Sequence, residues 1–340
     1  MLSRVADSIY WLTRYIERAE NVARFIDVNL HLMLDLPSET EQQWEPLINI
    51  TGDREIFEEH FDEFSRENVL QFLTFDPDYP NSILGCVHRA RENARSVREA
   101  ISSEMWIQLN RFYLMVQSAA YRDFATITAP HDFFTQVKLA GHTFAGVMDS
   151  TMFHGEAWHF GQIGRNLERA DKTTRILDMK YFILLPDASY VGSPYDNIQW
   201  AALLRSASAL EMYRKRYGRI LPDNVVEFLL LDTELPRSVR FCVHQAERSL
   251  RAIVGAPTGA QPSEAERHIG RLRAQLDFAT IDEILKAGVH EVLDGVQGEL
   301  NAVGDEMYRT IYALTSAATN GQGQMQEQAQ VQTFSTGPHN

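Results

Sequence analysis

Glutamate and arginine recur at helical spacing in two short stretches, Arg14, Glu17, Arg18 and Arg24 in the first and Arg165, Glu168, Arg169 and Arg175 in the second. At about 100° per residue, the first set with Asn21 falls within an arc of about 120°, opposite Leu12, Ile16, Ala19, Ala23, Ile26 and Leu30. The second set, with Lys172, lies opposite Ile163, Leu167, Ala170 and Leu177 in the same way. A glutamate flanked by guanidinium groups can act as a general base while the arginines stabilise a developing oxyanion. Alternatively, the arginine forks can bind a carboxylate or an acyl phosphate. The plain reading is a solvated face laced with intrahelical pairs, each worth about 0.2–0.5 kcal/mol. Against it, Arg14 with Arg18 and Arg165 with Arg169 place like charges one turn apart, which is unfavourable unless a carboxylate or bound anion sits between them. The pattern therefore points to a shared polar groove or a buried ion-pair network, with Glu17 and Glu168 as candidate catalytic residues and the six arginines as candidate substrate ligands.

A second basic stripe, Arg91, Arg95 and Arg98, has Glu92 and Glu99 at pairing distance. It reads as an ordinary salt-bridged helix; if it binds anything, Arg91 and Arg95 hold a small anion. Cys86-Val87-His88 and Cys242-Val243-His244 place Cys and His about 200° apart on a helix, too far around for one nucleophile–base pair, so buried cysteines are expected. Glu156-x-x-His159 has the spacing of half a di-iron carboxylate motif, but its second half is missing. The sequence also lacks a phosphate-cradling glycine loop, a Gly-x-Ser-x-Gly elbow and a His-Glu-x-x-His pair. Neither a metal nor a cofactor is expected.

The elements that carry these residues repeat. Ile16-Glu17-Arg18-Ala19-Glu20 matches Leu167-Glu168-Arg169-Ala170-Asp171, and further matches continue at an offset of about 151 to 156 residues. Trp44, Leu47, Glu55 and Phe57 pair with Trp200, Leu203, Glu211 and Tyr213. Pro80, Ser82, Cys86-Val87-His88, Ala90 and Arg95 pair with Pro236, Ser238, Cys242-Val243-His244, Ala246 and Arg251. The expected organisation is two copies of one helical unit, 1–155 and 156–319, forming one pseudo-symmetric all-α bundle, with a disordered Gln-rich tail over 320–340. The stretch 102–131 has no readable counterpart in the second copy. Apolar residues recur at three and four throughout, strand-like alternation is nearly absent, and breaks are predicted at Pro37-Ser38, Asp76-Pro77, Pro130, 186–197 and 255–263. Pro80, Pro222 and Pro236 suit first-turn helix positions.

The chain of 340 residues carries 32 Lys+Arg against 46 Asp+Glu, a net charge of −14. That balance disfavours nucleic acid, because neutralising phosphates requires a basic face. Two cysteines exclude a disulfide scaffold and suit a reducing compartment. No apolar run approaches the roughly 18 residues of a membrane span, and charges interrupt the N-terminal stretch where a signal peptide needs its apolar core. A cytoplasmic protein without membrane partners is expected.

Met1-Leu2-Ser3-Arg4-Val5-Ala6-Asp7-Ser8-Ile9-Tyr10-Trp11-Leu12, Tyr15-Ile16-Glu17-Arg18-Ala19-Glu20-Asn21, Ala90-Arg91-Glu92-Asn93-Ala94-Arg95 and Gly164-Arg165-x-x-Glu168-Arg169-Ala170-Asp171 resemble the bacterial alpha-E family, over about 1–318. The resemblance implies an all-α protein encoded beside, or fused to, a circularly permuted ATP-grasp protein, often near a transglutaminase-like cysteine peptidase. ATP-grasp enzymes join a carboxylate to an amine through an acyl phosphate, which implies a role in peptide or amide synthesis and modification. It also marks Glu17 and Glu168 as the residues of first functional interest. Three readings follow: an accessory subunit that docks the ligase and helps hold a carboxylate-bearing or peptide-like substrate, an enzyme with Glu17 or Glu168 as general base, and a structural helical scaffold.

Overall fold

The computed structural model describes residues 1–35, 44–121, 130–182, 194–255 and 261–309, and the regular structure among them is entirely helical. The Gln-rich segment 320–340 and the predicted break at Pro37-Ser38 lie outside the described residues, as do most of the breaks at 186–197 and 255–263. In chain order the helices are α1 (Ser3–Asp35), α2 (Glu45–Thr51), α3 (Arg54–His60), α4 (Arg66–Phe75), α5 (Ile83–Ser96), α6 (Ser103–Ala120) and α7 (Pro130–Thr151). They continue as α8 (Glu156–Phe182), α9 (Pro194–Ser206), α10 (Leu210–Tyr217), α11 (Pro222–Leu231), α12 (Val239–Val254), α13 (Glu264–Phe278) and α14 (Ile281–Ala287). A last helix, α15, covers 289–309.

The two long motif helices, α1 and α8, lie against each other at the centre. α5, α7 and α9 pack on α1, while α12 and α2 pack on α8; α6 covers α5 and α7, and α13 covers α12. One contiguous apolar core runs from Val5 on α1 to Met307 on α15. Ile9, Leu12, Ile163 and Leu167 are each at most 2% exposed, and burying each such side chain contributes about 1.5–3 kcal/mol. The arc of charges on α1 is not a solvated face. Glu17, Glu20, Asn21, Arg24 and Asp27 are buried along with the apolar side, because other helices cover both.

Glycine sets the approach of the central pair. A Cβ on Gly164 would stand 2.3 Å from the Tyr10 carbonyl oxygen, so no larger residue fits there without moving the α1 backbone. One turn earlier, Thr13 Oγ1 donates to the Gly161 carbonyl at 2.8 Å and ties the two helices together. This contact accounts for the glycine that opens the second motif.

A shared turn introduces both α5 and α12. Asp76 Oδ1 accepts the amides of Asp78 and Tyr79, and Asp232 Oδ1 accepts those of Glu234 and Leu235. Ser82 and Ser238 then cap the helices by accepting from Gly85 N and Phe241 N. Of the three prolines expected in first helical turns, Pro222 sits at the start of α11, whereas Pro80 and Pro236 lie in these turns, two residues ahead of the serine caps. Each proline follows the Asx turn and leads into the serine cap, where its missing N–H leaves no donor to satisfy. No helix among the described residues is long and apolar enough to cross a membrane.

Candidate functional site

The motif residues meet where α1 crosses α8, and they pair across the helices. Arg169 Nε and Nη2 donate to Glu17 Oε1 and Oε2 at 2.9 and 2.7 Å. Reciprocally, Arg18 Nε and Nη2 donate to Glu168 Oε1 and Oε2 at 2.7 and 2.9 Å. Each Glu-Arg dipeptide thus gives its carboxylate to the other's arginine, in two parallel bidentate forks. Glu17 is 3% exposed and Glu168 is fully buried.

Each fork recruits further cations. Around Glu168, Arg14 Nε donates to Oε2 at 2.8 Å and the Lys172 ammonium lies 3.7 Å from Oε1. Around Glu17, Arg237 Nη1 donates to Oε1 at 3.1 Å and Asn21 Nδ2 donates to the same oxygen at 3.1 Å. The turns before α5 and α12 deliver equivalent side chains to the forks: Arg18 Nη1 donates to Asn81 Oδ1 at 2.5 Å, and Arg237 follows Pro236 as Asn81 follows Pro80. Arg237 also donates to Glu20, which is held in addition by Arg24 at 2.7 Å and by His142 Nε2 at 3.1 Å. Arg24 reaches on to the hydroxyl of Ser208, a non-glycine residue at φ 51°, and Arg175 donates to the Ile50 carbonyl at 3.1 Å beside Gly52 at φ 78°. The left-handed Ser208 ends α9 in a capping turn, its amide donating to the Arg205 carbonyl and the Ala209 amide to the Leu204 carbonyl, and Arg24 binds the hydroxyl that this turn presents.

The electrostatics follow from burial set against these cations. Burial alone would raise the Glu168 carboxyl, but Arg18, Arg14 and Lys172 outweigh it and hold it well below the usual carboxylate range. Burial likewise opposes ionisation of Glu17, and Arg169 and Arg237 overcome it, so its pKa is lowered. Glu20 is held well below the ordinary range by Arg237, His142 and Arg24 against the same desolvation, and Asp171 is lowered by Lys172 and Arg175. All four carboxylates are ionised at neutral pH. Arg237 is pushed down to about 10, by burial and by the crowding of Arg169 and Arg24 against the pull of Glu17, and still carries its charge at pH 7.

The two sides of the network differ most at one arginine. Arg165 occupies the position that Arg14 holds in the first motif, yet its Nε lies 3.9 Å from Glu17 Oε2 and has no hydrogen-bond partner. Burial and the neighbouring Arg169 lower its pKa. Arg237 has taken the place at Glu17 that Arg14 fills at Glu168.

Of the residues singled out from the sequence, Glu17, Glu168, Arg14, Arg18, Arg24, Arg165, Arg169 and Arg175 are brought into this one network. Arg91 and Arg95 stand apart from it. Arg91 Nε donates to Asn110 Oδ1 at 2.7 Å and its guanidinium lies over Trp106 and Tyr113, while Arg95 is 68% exposed and pairs with Glu92 at 2.8 Å. Both cysteines are buried, as expected, and desolvation pushes each thiol up to about 12. Glu156 pairs with the Met1 amino group, and burial lowers the His159 pKa. Arg237, Asn81 and His142 were not among the candidates. Arg237 had a faint signal, since it lies between the matched Pro236 and Ser238.

Beside the Glu168 fork is a cleft of about 630 Å³ between α1 and α15. Its walls include Asp7, Trp11 and Arg14 from α1 and Asn301, Asp305 and Tyr308 from α15. Arg14 spans network and cleft: Nε holds Glu168, Nη1 donates to the Tyr10 hydroxyl at 2.9 Å, and the guanidinium lies 5.1 Å from the Trp11 ring centroid. Burial raises the Asp7 carboxyl, against a hydrogen bond from Trp11.

Comparison with known proteins gives the family. No solved structure matches the chain. Two uncharacterized mycobacterial proteins, one from Mycobacterium bovis and one from Mycobacterium tuberculosis, are each 26% identical over 340 residues, which is 92% of this chain. The chain spans only 37% of the length of either relative. Residues 1–311 match a family described as a predicted alpha-helical domain with a conserved ER motif. Glu17-Arg18 and Glu168-Arg169 are Glu-Arg dipeptides of that kind, and the chain belongs to the Alpha-E family.

Proposed function

We propose that this protein is a non-catalytic helical subunit of an ATP-grasp amidoligase system, which docks the ligase and helps hold a carboxylate-bearing or peptide-like substrate. The observation that carries the reading is the saturation of both motif glutamates. Each carboxylate takes a bidentate arginine and further cations, is buried, and is held in its ionised form. A general base needs a lone pair free to accept a proton and a pKa near the working pH, and the forks favour neither. The forks are the frame that fixes Arg14, and Arg14 faces the cleft.

That cleft suits a zwitterionic chain end. Arg14 offers a carboxylate the Nη hydrogens that Glu168 and Tyr10 leave over, Asp7 and Asp305 offer acceptors to an ammonium group, and Trp11 and Tyr308 offer ring faces to the body of the substrate. ATP would be bound by the ligase. The duplicated unit, 1–155 and 156–319, belongs to the same proposal: the halves exchange their forks, so the frame exists only when both are present. A cytoplasmic location and a transglutaminase-like peptidase as a second partner complete it.

The test is to copurify the tagged protein with the ATP-grasp partner and to follow ADP release with a peptide-like acceptor. Complex formation, with ligase turnover raised by the wild type and at least tenfold less by Arg14→Ala, is the expected result. No complex, together with no change in ligase activity, would remove the proposal. Turnover by the protein alone that Glu17→Gln abolishes while the fold persists would favour catalysis by the motif itself.

A further inference from the structure

On the far part of α1 from the cleft, Asp27 and His31 stand one turn apart on a helical face, and His131 from the first turn of α7 closes on them. His131 Nδ1 lies 2.5 Å from Asp27 Oδ1, and the His31 and His131 ring centroids are 4.5 Å apart, nearly perpendicular. One ligand atom from each of the three residues falls within 4.8 Å of the other two. The carboxylate is buried at 5% exposure, whereas the imidazoles are 43% and 53% exposed. A buried carboxylate oxygen beside two accessible nitrogen donors is open to a cation from solvent.

We infer that Asp27, His31 and His131 form a binding site for a first-row divalent cation of the zinc type, clamping the start of α7 to α1. Three ligands of the set N, N, O leave a fourth position for water, and imidazole with carboxylate suits zinc better than calcium or magnesium, which take oxygen ligands. His31 Nδ1 lies 2.7 Å from the Asp27 main-chain carbonyl and 3.7 Å from Asp27 Oδ1, contacts that orient the ring over the carboxylate. Lys138 Nζ sits 2.5 Å from Asp27 Oδ2, the oxygen that His131 does not contact, and offsets part of the carboxylate's charge, so a cation on Oδ1 relies chiefly on the two imidazoles. A metal on Oδ1 leaves that contact in place.

The second half of the chain provides an internal control. Asp178, the counterpart of Asp27, lies 2.6 Å from His290 Nδ1, so the Asp–His contact between helices recurs there. The residue one turn beyond Asp178 is Phe182, whose side chain offers no ligand atom. An Asp–His pair alone is an interhelical tie; the third donor, His31, makes the first copy a site.

The experiment is titration of the full-length protein with Zn²⁺ against a chromophoric chelator, with Co²⁺ as an optical probe of coordination. The expected result is one Zn²⁺ per chain with micromolar or tighter affinity, and Co²⁺ absorption of the intensity of a tetrahedral or five-coordinate site. His31→Phe and His131→Gln should each weaken binding at least tenfold, while His290→Gln leaves it unchanged. His31→Phe alters a half-exposed side chain, so its fold is expected to persist and is checked by circular dichroism. No stoichiometric binding, or binding that His31→Phe retains or that His290→Gln weakens equally, would overturn the site.

Discussion

At the scale of single residues, the forks are strong because their partners are buried, and that same burial makes each partner costly to lose. Replacing Glu168 by Gln leaves Arg14, Arg18 and Lys172 facing a neutral amide, and such a loss costs about 3–5 kcal/mol of folding stability. Urea unfolding with an unchanged slope measures it. The pH dependence has a definite sign. Glu17, Glu20, Glu168 and Asp171 all have folded pKa values below their unfolded ones, 4.5 for Glu and 3.8 for Asp. Their stabilisation is therefore complete above the unfolded values and disappears as pH falls through the folded ones. The contribution of these four carboxylates to the urea midpoint should be constant from pH 7 to about 5.5 and fall steeply below about 4.5, so that Glu168→Gln flattens the acid limb. Repetition of type and order marks both glutamates in the sequence. Their partners are not legible there, because helical spacing reveals only neighbours on one helix, and each glutamate binds an arginine about 150 residues away. Arg237 was missed for a related reason: its counterpart is Asn81, so the repeat match breaks where the chemistry differs.

At the scale of elements, the spine of the molecule is the close contact of α1 with α8, and Gly164 is its tightest point. Gly164→Ala would press a methyl group into the Tyr10 carbonyl, and the cost of such overpacking is about 1–3 kcal/mol or more. Gly146, with open space around its α-carbon, should accept the same change with no loss and a small gain from helix propensity. Thermal unfolding of the two variants distinguishes a packing role from mere helix preference. Period alone predicts an all-helical chain, but the first-turn positions read for Pro80 and Pro236 start α5 and α12 too early, because Ser82 and Ser238 are the caps. The burial of the charged arc does not follow from period, since a polar stripe facing water and one facing another polar stripe look identical in one helix. The stretch 102–131 had no sequence counterpart, yet Asp27 meets His131 as Asp178 meets His290. The contact persists where the surrounding residues differ too much to align.

At the scale of the whole molecule, the crossed forks tie Glu17 and Arg18 on α1 to Arg169 and Glu168 on α8, and the proposed two-copy organisation predicts that its halves depend on each other. Val5 and Met307 belong to one apolar core, so far-ultraviolet dichroism and tryptophan fluorescence should report one coincident unfolding transition. Segments 1–155 and 156–319 expressed singly should each be unfolded or aggregated, because each would hold a Glu-Arg dipeptide with neither partner, and should gain structure on mixing. The central claim is that the motif joins the halves by exchanging carboxylates, and a double-mutant cycle tests it most directly. Urea unfolding of Glu17→Gln, Arg169→Met and the double variant gives the coupling between residues 152 positions apart. The exchange predicts a double variant less destabilised than the sum of the singles, with a coupling of about 2 kcal/mol or more. Effects that add to within about 0.5 kcal/mol would contradict it.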